Sequence, residues 1–237
     1  MGSDGMDRMS DGRITGREVR GNPGDRIPGS LPGNERVQPV LLPLSFYEQD
    51  AIAVARALLG CRLVHREDGV TTAGRIVETE AYLQGDPAAH SFRGKTRRTS
   101  VLFGPPGHAY VYFVYGMHWC VNVVTGGGGN RGAVLLRALE PVEGIAAMEE
   151  RRGTRELRLL CSGPGRLTQA LAITGELNGS SLITGPLRIL SPDGIPGHRQ
   201  GGAGAEEIVQ TTRVGISRAQ DKPYRFYLKA NPFVSRR

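Results

Sequence analysis

The sequence predicts an α+β fold: a single compact domain on a curved, mostly antiparallel sheet with helices at its periphery. The sequence has several consecutive strand-like segments with no helical pattern between them. The helical patterns occur elsewhere in the chain, so strands and helices do not alternate as in a βαβ fold. No internal repeat is visible, and no window approaches eighteen uninterrupted apolar residues. We therefore expect neither a repeat architecture nor a membrane-spanning helix.

Composition divides the chain into residues 1–40, predicted to be a disordered tail, and residues 41–237, predicted to be the folded domain. The first 39 residues hold eight glycines and four prolines, and too few aliphatic side chains to offset the entropy of ordering. Six arginines and six acids cancel within 1–40, so the net charge of +7 belongs to 41–237. A basic folded part fits an anionic partner.

Arginine dominates the basic residues, since only three of the 30 are lysines. Guanidinium groups bind phosphate through two parallel hydrogen bonds. A genome that prefers arginine codons explains the same bias, and composition does not decide between the two. Three widely spaced cysteines and the lack of a secretory signal predict the cytoplasm or nucleoid, without disulfides or a zinc site.

The elements are predicted as follows. Ser45 and Glu48 form a capping box for a helix over about 46–59, and strands at 61–66 and 72–80 form a hairpin around a turn at 67–69. A long ordered loop spans 85–107, and such loops are usually functional. A β-meander follows at 108–115, 119–125 and 133–139. Helices begin at Pro141 and Pro164, and short strands recur near 186–190, 208–215 and 225–229.

The strand at 76–83 carries two carboxylates. Alternation along a strand places Glu78, Glu80 and Tyr82 on one face, with successive carboxylates roughly 7 Å apart. One of them is a candidate general base. The competing interpretation is that both line a solvated face and pair with arginines, and spacing alone does not decide.

Tyrosines cluster just downstream. Tyr110 and Tyr112 share a face. Aromatic core packing is the default interpretation of Tyr110, whereas for Tyr112 it explains the residue as well as a binding role does. Tyr115 and Met117 stand at a turn tip beside Gly116, where exposure is expected. An exposed Tyr/Met tip on a basic protein is typical of a wedge that unstacks DNA.

The loop between these strands is basic. Arg93, Lys95, Arg97 and Arg98 suit phosphate contact, although a solvated surface run is the alternative. A lone histidine such as His90 is usually a surface or capping residue. The sequence has no Walker loop, dinucleotide fingerprint or metal-ligand spacing, so neither a metal nor another cofactor is predicted.

Ten short motifs occur in an order that resembles the alkyladenine (3-methyladenine) DNA glycosylases of the type first recognised in mammals. They cover essentially 41–235: RIVETEAY at 75–82, AAHS at 88–91, YVY at 110–112, YGM at 115–117, CVN at 120–122, VLLRALEP at 134–141, LCSGP at 160–164, QALAI at 169–173, RVG at 213–215 and RFY at 225–227. The resemblance implies a single α+β domain, distinct from the helix-hairpin-helix glycosylases, and a monomer.

The resemblance also implies roles for single residues. Glu80 matches the acid that deprotonates the attacking water, Arg137 the residue that positions it, and Tyr115 the side chain that fills the gap left by the flipped nucleotide. The base pocket matches at Tyr82, His90, Tyr112 and Asn122, the last of which discriminates against the guanine amino group. His118 departs from the aromatic residue common at that position in mammalian members, so the contact with DNA beside the wedge is expected to differ from theirs.

The implied reaction is hydrolytic excision of alkylated or deaminated purines from double-stranded DNA by base flipping, without a cofactor. No lysine lies in the matched pocket motifs, so a monofunctional enzyme is expected. Two rivals stay open: a DNA- or RNA-binding module without chemistry, and a bifunctional glycosylase/lyase. The sequence does not rank 3-methyladenine, 7-methylguanine, hypoxanthine and ethenoadenine as substrates.

Overall fold

The computed structural model describes Met1 and residues 39–191 and 206–235. The predicted tail at 1–40 lies almost entirely outside the described residues. Within them are nine strands: β1 (Val40–Leu41), β2 (Arg62–Glu67), β3 (Val70–Leu83), β4 (Ala109–Val114), β5 (His118–Thr125), β6 (Gly132–Glu143), β7 (Leu187–Ser191), β8 (Ile208–Thr211) and β9 (Arg225–Leu228).

The described helices are short. They are α1 (Leu44–Tyr47), α2 (Ala51–Ala57), α3 (Ile145–Arg152), α4 (Leu157–Leu160) and α5 (Pro164–Ala170), with 3-10 turns at Ser100–Phe103 and Gly175–Leu177. Helix α2 packs on β3 and β6, α5 packs on β5 and β6, and α3 packs on α5.

All strand pairs are antiparallel, and the strand order is β1-β7-β2-β3-β6-β5-β4. The predicted hairpin is β2–β3, and the predicted meander is β4–β5–β6. The short pair β8–β9 joins the sheet through β9, which pairs with β3. The α+β prediction is therefore confirmed.

Strand β3 lies at the centre of this topology. Its first half pairs with β2, residues 78–80 pair with β9, and residues 73–83 pair with β6 along the opposite edge. The register between β3 and β6 shifts on both sides of Glu78. Bulges of this kind bend a strand and re-aim its side chains, so β3 curves where its carboxylates stand.

The two faces of β3 have different surroundings. Thr79 donates a hydrogen bond to the Ala55 carbonyl in α2 at 2.9 Å, and Val77 and Ala81 are fully buried in the core cluster. Because side chains alternate along a strand, Glu78, Glu80 and Tyr82 point to the opposite side. The predicted parity of this strand is confirmed.

The predicted helix over 46–59 is wrong in detail, since α1 and α2 are separate. Asp50 caps α2, and its carboxylate accepts hydrogen bonds from the backbone of Ile52 and Ala53, both at 3.0 Å. Ser45 lies inside α1 and does not form the predicted capping box. Helix α1 ends at Tyr47 with Glu48 as its C-cap, and Asp50 caps a new helix two residues later.

Pro141 does not begin a helix, contrary to prediction. Strand β6 continues to Glu143 along β3, and α3 begins only after Gly144. Gly144 has φ +71°, and a Cβ there would lie 2.4 Å from the Thr71 carbonyl oxygen. A glycine is thus required to turn the chain into α3. Helix α5 does begin at Pro164, as predicted.

Candidate active site

An open cavity with a volume of about 820 Å³ lies on the carboxylate side of β3. Its walls come from the 87–99 loop, strands β4, β5 and β6, and the segment 214–218. Tyr82 and Arg137 line it, whereas Glu80 is fully buried directly behind them. The topology thus gathers side chains that are far apart in sequence around one carboxylate.

Three donors hold Glu80. The Val214 backbone N–H donates to Oε1 at 2.7 Å, Arg137 Nη1 lies 3.2 Å from the same oxygen, and the Tyr82 hydroxyl donates to Oε2 at 2.9 Å. Burial and the Glu80 charge both raise the pKa of Tyr82, so its phenol keeps the proton that it donates. A backbone amide, a guanidinium and a phenol thus share one buried carboxylate.

Glu78 is equally buried and holds Arg137 from the other side. Its Oε1 accepts from Arg137 Nε at 2.9 Å and from Arg225 Nε at 2.7 Å, and its Oε2 accepts from the Ser235 backbone at 2.7 Å. Burial alone lowers the pKa of Arg137, but Glu80 and Glu78 together raise it, so the guanidinium stays charged. The two carboxylates pair with arginines, but the face they occupy is not solvated.

Three aromatic side chains form one wall. Tyr110 and Tyr112 stack with ring centroids 4.9 Å apart, and the His90 ring meets Tyr112 edge-on at 4.5 Å. His90 Nδ1 lies 3.1 Å from the Tyr110 hydroxyl. Burial and the nearby Arg98 lower the pKa of His90, so the imidazole is neutral at pH 7. Of these, Tyr110 was expected only to pack in the core.

Asn122 carries an unpartnered polar atom in the same cavity. Its side chain is 6% exposed, and Oδ1 has no hydrogen-bond partner among the described residues. Leaving a buried acceptor unpaired costs about 1–3 kcal/mol. Such an atom on a cavity wall points to a ligand that completes the hydrogen bond.

The tip between β4 and β5 stands at the rim. Tyr115 is 82% exposed and Met117 68% exposed, as predicted for a turn tip. Tyr115 and Gly116 have φ +54° and +66°, and Met117 donates its backbone N–H to the Val114 carbonyl at 3.1 Å. A tyrosine in this left-handed conformation costs roughly 1–2 kcal/mol. The strained backbone presents an aromatic side chain to solvent.

The basic loop flanks the cavity. Arg93, Lys95, Arg97 and Arg98 are all exposed, and Arg93 and Arg98 line the cavity while Lys95 and Arg97 do not. Arg98 donates to the Phe113 carbonyl at 3.1 Å, which ties the loop to β4. The structure thus places two of the four predicted cations at the opening and two farther out.

Sequence reasoning missed several contributors to this site. Strand parity cannot reveal a backbone donor such as Val214, nor the contact of Ser235 with Glu78. Asp86 and Arg213, which form a buried ion pair beside Tyr82, also escaped notice. The only signal for the 213–215 segment was its place among the motifs that carry the family resemblance.

Neither a metal centre nor a membrane-spanning helix is found in the described residues. Within 39–191 and 206–235, no group of three or more His, Cys, Asp or Glu side chains could hold a metal ion. No helix in that part of the chain has the length and apolarity to cross a membrane.

Comparison with known proteins gives a consistent result. A family model described as methylpurine-DNA glycosylase (MPG) matches residues 45–232. Proteins from Methanoculleus marisnigri and Carboxydothermus hydrogenoformans are 62% and 53% identical, over 83% and 84% of this chain and 99% and 100% of theirs. A Nitrosospira multiformis protein is 47% identical over 80% of this chain and 91% of its own. All three carry the name "Putative 3-methyladenine DNA glycosylase". The chain belongs to the methylpurine-DNA glycosylase family, as its motifs predicted.

Proposed function

We propose that this DNA glycosylase flips an alkylated or deaminated purine out of double-stranded DNA and hydrolyses its N-glycosidic bond with a water activated by Glu80. The observation that carries the proposal is the environment of Glu80. It is a fully buried carboxylate at the back of an aromatic-walled cavity, held by Val214, Arg137 and Tyr82.

Glu80 keeps one acceptor direction for a water. A carboxylate offers about four lone-pair directions. Val214 takes one of them on Oε1, where the Arg137 Nη1 atom also lies 3.2 Å away in an ion pair, and Tyr82 takes one on Oε2. One direction on Oε2 is left to accept a proton from the attacking water. The water oxygen bonds to C1′, the C1′–N bond breaks, and its electron pair leaves with the base.

The charges fit this reaction. Breaking the C1′–N bond builds an oxocarbenium-like sugar, which a nearby carboxylate stabilises. Arg137, held by Glu78 and Glu80, keeps the Glu80 oxygens in one orientation. Preorganised charges of this kind need no rearrangement during the reaction.

The aromatic walls suit a flipped base. Tyr82 and Tyr112 both line the cavity, and an alkylated purine with positive charge is attracted to electron-rich ring faces. The neutral His90 keeps both a donor and an acceptor nitrogen, and the Asn122 Oδ1 offers an unpaired acceptor. Together they can bind the edge of a purine through hydrogen bonds.

The rim suits bent duplex DNA. Flipping costs a few kcal/mol, least for a poorly paired damaged base. Tyr115 and Met117 would fill the space that the nucleotide leaves. The cations of the 93–98 loop would bind the flanking phosphates.

Monofunctional chemistry is part of the proposal. A lyase reaction needs an amine to form a Schiff base. Among the described residues that line the cavity there is no lysine, and Lys95 lies on the loop away from the lining. Water is therefore the nucleophile that this site favours.

Single-turnover excision from a duplex with one hypoxanthine tests the proposal, with wild type compared against Glu80→Gln. We expect at least a hundredfold loss of rate in the variant with duplex affinity retained, since an activated water contributes about 10²–10⁴-fold. Glu207→Gln, at a surface ion pair with Lys229, serves as the matched control. Tight binding without base release by wild type, on deaminated and on methylated DNA, would favour the binding-module alternative. A borohydride-trapped covalent adduct would show a lyase instead.

A further inference from the structure

We propose that the buried ion pair Asp86–Arg213, behind Tyr82, sets the ratio in which the cavity accepts cationic and neutral damaged purines. This inference rests on the proposed function. It assigns a specificity-determining role to two residues that do not line the cavity.

Tyr82 separates this pair from the cavity. The Arg213 guanidinium carbon lies 4.7 Å from the centroid of the Tyr82 ring. Tyr82 lines the cavity, whereas neither Arg213 nor Asp86 does. The ring therefore has a cation on its inner side and the space for the base on its outer side.

The pair is rigidly held. Both Asp86 oxygens accept from Arg213, and the Arg213 side chain is fully buried. Arg213 Nη1 also donates to the Ala81 carbonyl at 3.0 Å, and its guanidinium lies 5.3 Å from the Tyr224 ring. A cation fixed this way cannot swing out to solvent when a charged base arrives.

The buried charges around the site balance. In the described part of the chain, the buried acids are Glu78, Glu80 and Asp86, and the buried arginines are Arg137, Arg213 and Arg225. Three negative and three positive charges sum to zero. These buried charges thus offer a cationic purine no excess of either sign, whereas Arg93 and Arg98 at the opening stay cationic in every variant. Removal of either member of the pair changes the net charge around the cavity by one unit.

A cation behind an aromatic ring weakens the attraction of the other face for a second cation. A base stacked on Tyr82 would lie about 8 Å from Arg213, given ring contact at about 3.5–4 Å. At an effective dielectric constant near 20, one unit of charge at that distance changes the binding of a cation roughly tenfold or more. The same change of charge has little effect on the binding of a neutral base.

The experiment measures excision of 7-methylguanine, a cation in DNA, and of hypoxanthine, which is neutral, by the same enzyme preparation. Both single-turnover rates are measured at enzyme concentrations below saturation, where they report binding as well as chemistry, and their ratio cancels differences in folded fraction. Asp86→Asn leaves Arg213 uncompensated and should lower the 7-methylguanine to hypoxanthine ratio about tenfold. Arg213→Gln leaves Asp86 uncompensated and should raise it about tenfold.

The double variant Asp86→Asn/Arg213→Gln restores the charge balance, so its ratio should return to within about threefold of wild type even where its rates fall. Glu207→Gln is the surface control and should leave the ratio unchanged. Equal losses of both rates, with a constant ratio in both single variants, would show that the pair is only a structural anchor. A tenfold shift in the double variant would also overturn the inference. If wild type released neither base, the proposed function would fail instead.

Discussion

The Tyr82 hydroxyl lies 2.9 Å from Glu80 Oε2, so the residue that walls the cavity also binds the buried carboxylate behind it. One side chain therefore couples the two halves of the site. Its side chain lines the cavity, and its phenol donates a hydrogen bond to the carboxylate. These two contributions can be separated by substitution.

Tyr82→Phe keeps the ring and removes the donor. A hydrogen bond to a charged acceptor contributes about 1.5–3 kcal/mol, and we expect the single-turnover rate to fall about tenfold while the enzyme concentration for half-maximal rate stays nearly constant. Tyr82→Leu should instead raise that concentration, because the aromatic ring that stacks on the base is absent. If both variants changed the single-turnover rate and the half-maximal enzyme concentration in the same way, the ring and the hydroxyl would not have separate roles.

Arg137→Gln should destabilise the protein strongly. It leaves Glu78 and Glu80 buried with fewer compensating charges, which typically costs about 3–5 kcal/mol. Urea unfolding measures the loss. Arg75→Gln is the matched control, because the ion pairs of Arg75 with Glu140 and Glu206 are both partly exposed, and such pairs contribute about 0–1 kcal/mol each. Similar losses in both variants would refute this account of the buried cluster.

His90 should make stability pH-dependent. Burial and Arg98 lower the pKa of His90 below its ordinary value of about 6.5. The unfolded chain therefore binds a proton first as pH falls, so the stabilisation is complete above about pH 6.5 and declines towards the folded pKa. Wild type should lose more free energy of unfolding between pH 7.5 and 5 than His90→Gln does.

A proton NMR titration checks the cause of that shift. The His90 signal should titrate below pH 6.5 in wild type. In Arg98→Gln the pKa of His90 should rise, because one positive charge beside the ring is removed. An unshifted His90 signal in wild type would contradict the prediction.

Tyr115→Gly should separate stability from activity. Glycine adopts the left-handed conformation at position 115 without strain, so the free energy of unfolding should stay level or rise by up to about 1 kcal/mol. Excision from duplex DNA should nevertheless fall, because the flipped state loses its wedge. Excision from single-stranded DNA is the control and should change much less. A marked loss of stability, or full duplex activity, would argue against the wedge.

The basic loop should affect the salt dependence of DNA binding. Removing one cation that binds a phosphate reduces the slope of log affinity against log salt by about one. We expect this for Arg93→Gln, measured by fluorescence anisotropy on undamaged duplex. The control is Arg188→Gln, which should leave the slope unchanged. Arg188 is an exposed residue of β7 whose Nε donates a hydrogen bond to the nearby Gly185 carbonyl. If Arg93→Gln and wild type showed the same dependence of log affinity on log salt, Arg93 would not bind a DNA phosphate.

Local physics made much of the fold predictable from the chain. The β2–β3 turn at Asp68 and Gly69, the β-meander and the start of α5 at Pro164 all follow from short-range signals, namely left-handed turn residues, alternation and a proline at a first helical position. Where several local signals competed, prediction failed. Asp50 took the capping role predicted for Ser45, and pairing with β3 kept Pro141 in a strand.

Sequence by itself determined the family and which side chains of β3 share a face, because motifs and alternation are properties of the chain alone. Only the tertiary structure decided how charges are balanced. Glu80 lies 134 positions from the Val214 backbone that binds it, and Asp86 lies 127 from Arg213. Burial and pairing depend on what the rest of the molecule packs around a group. No local pattern could therefore separate a solvated pair of glutamates from a buried one.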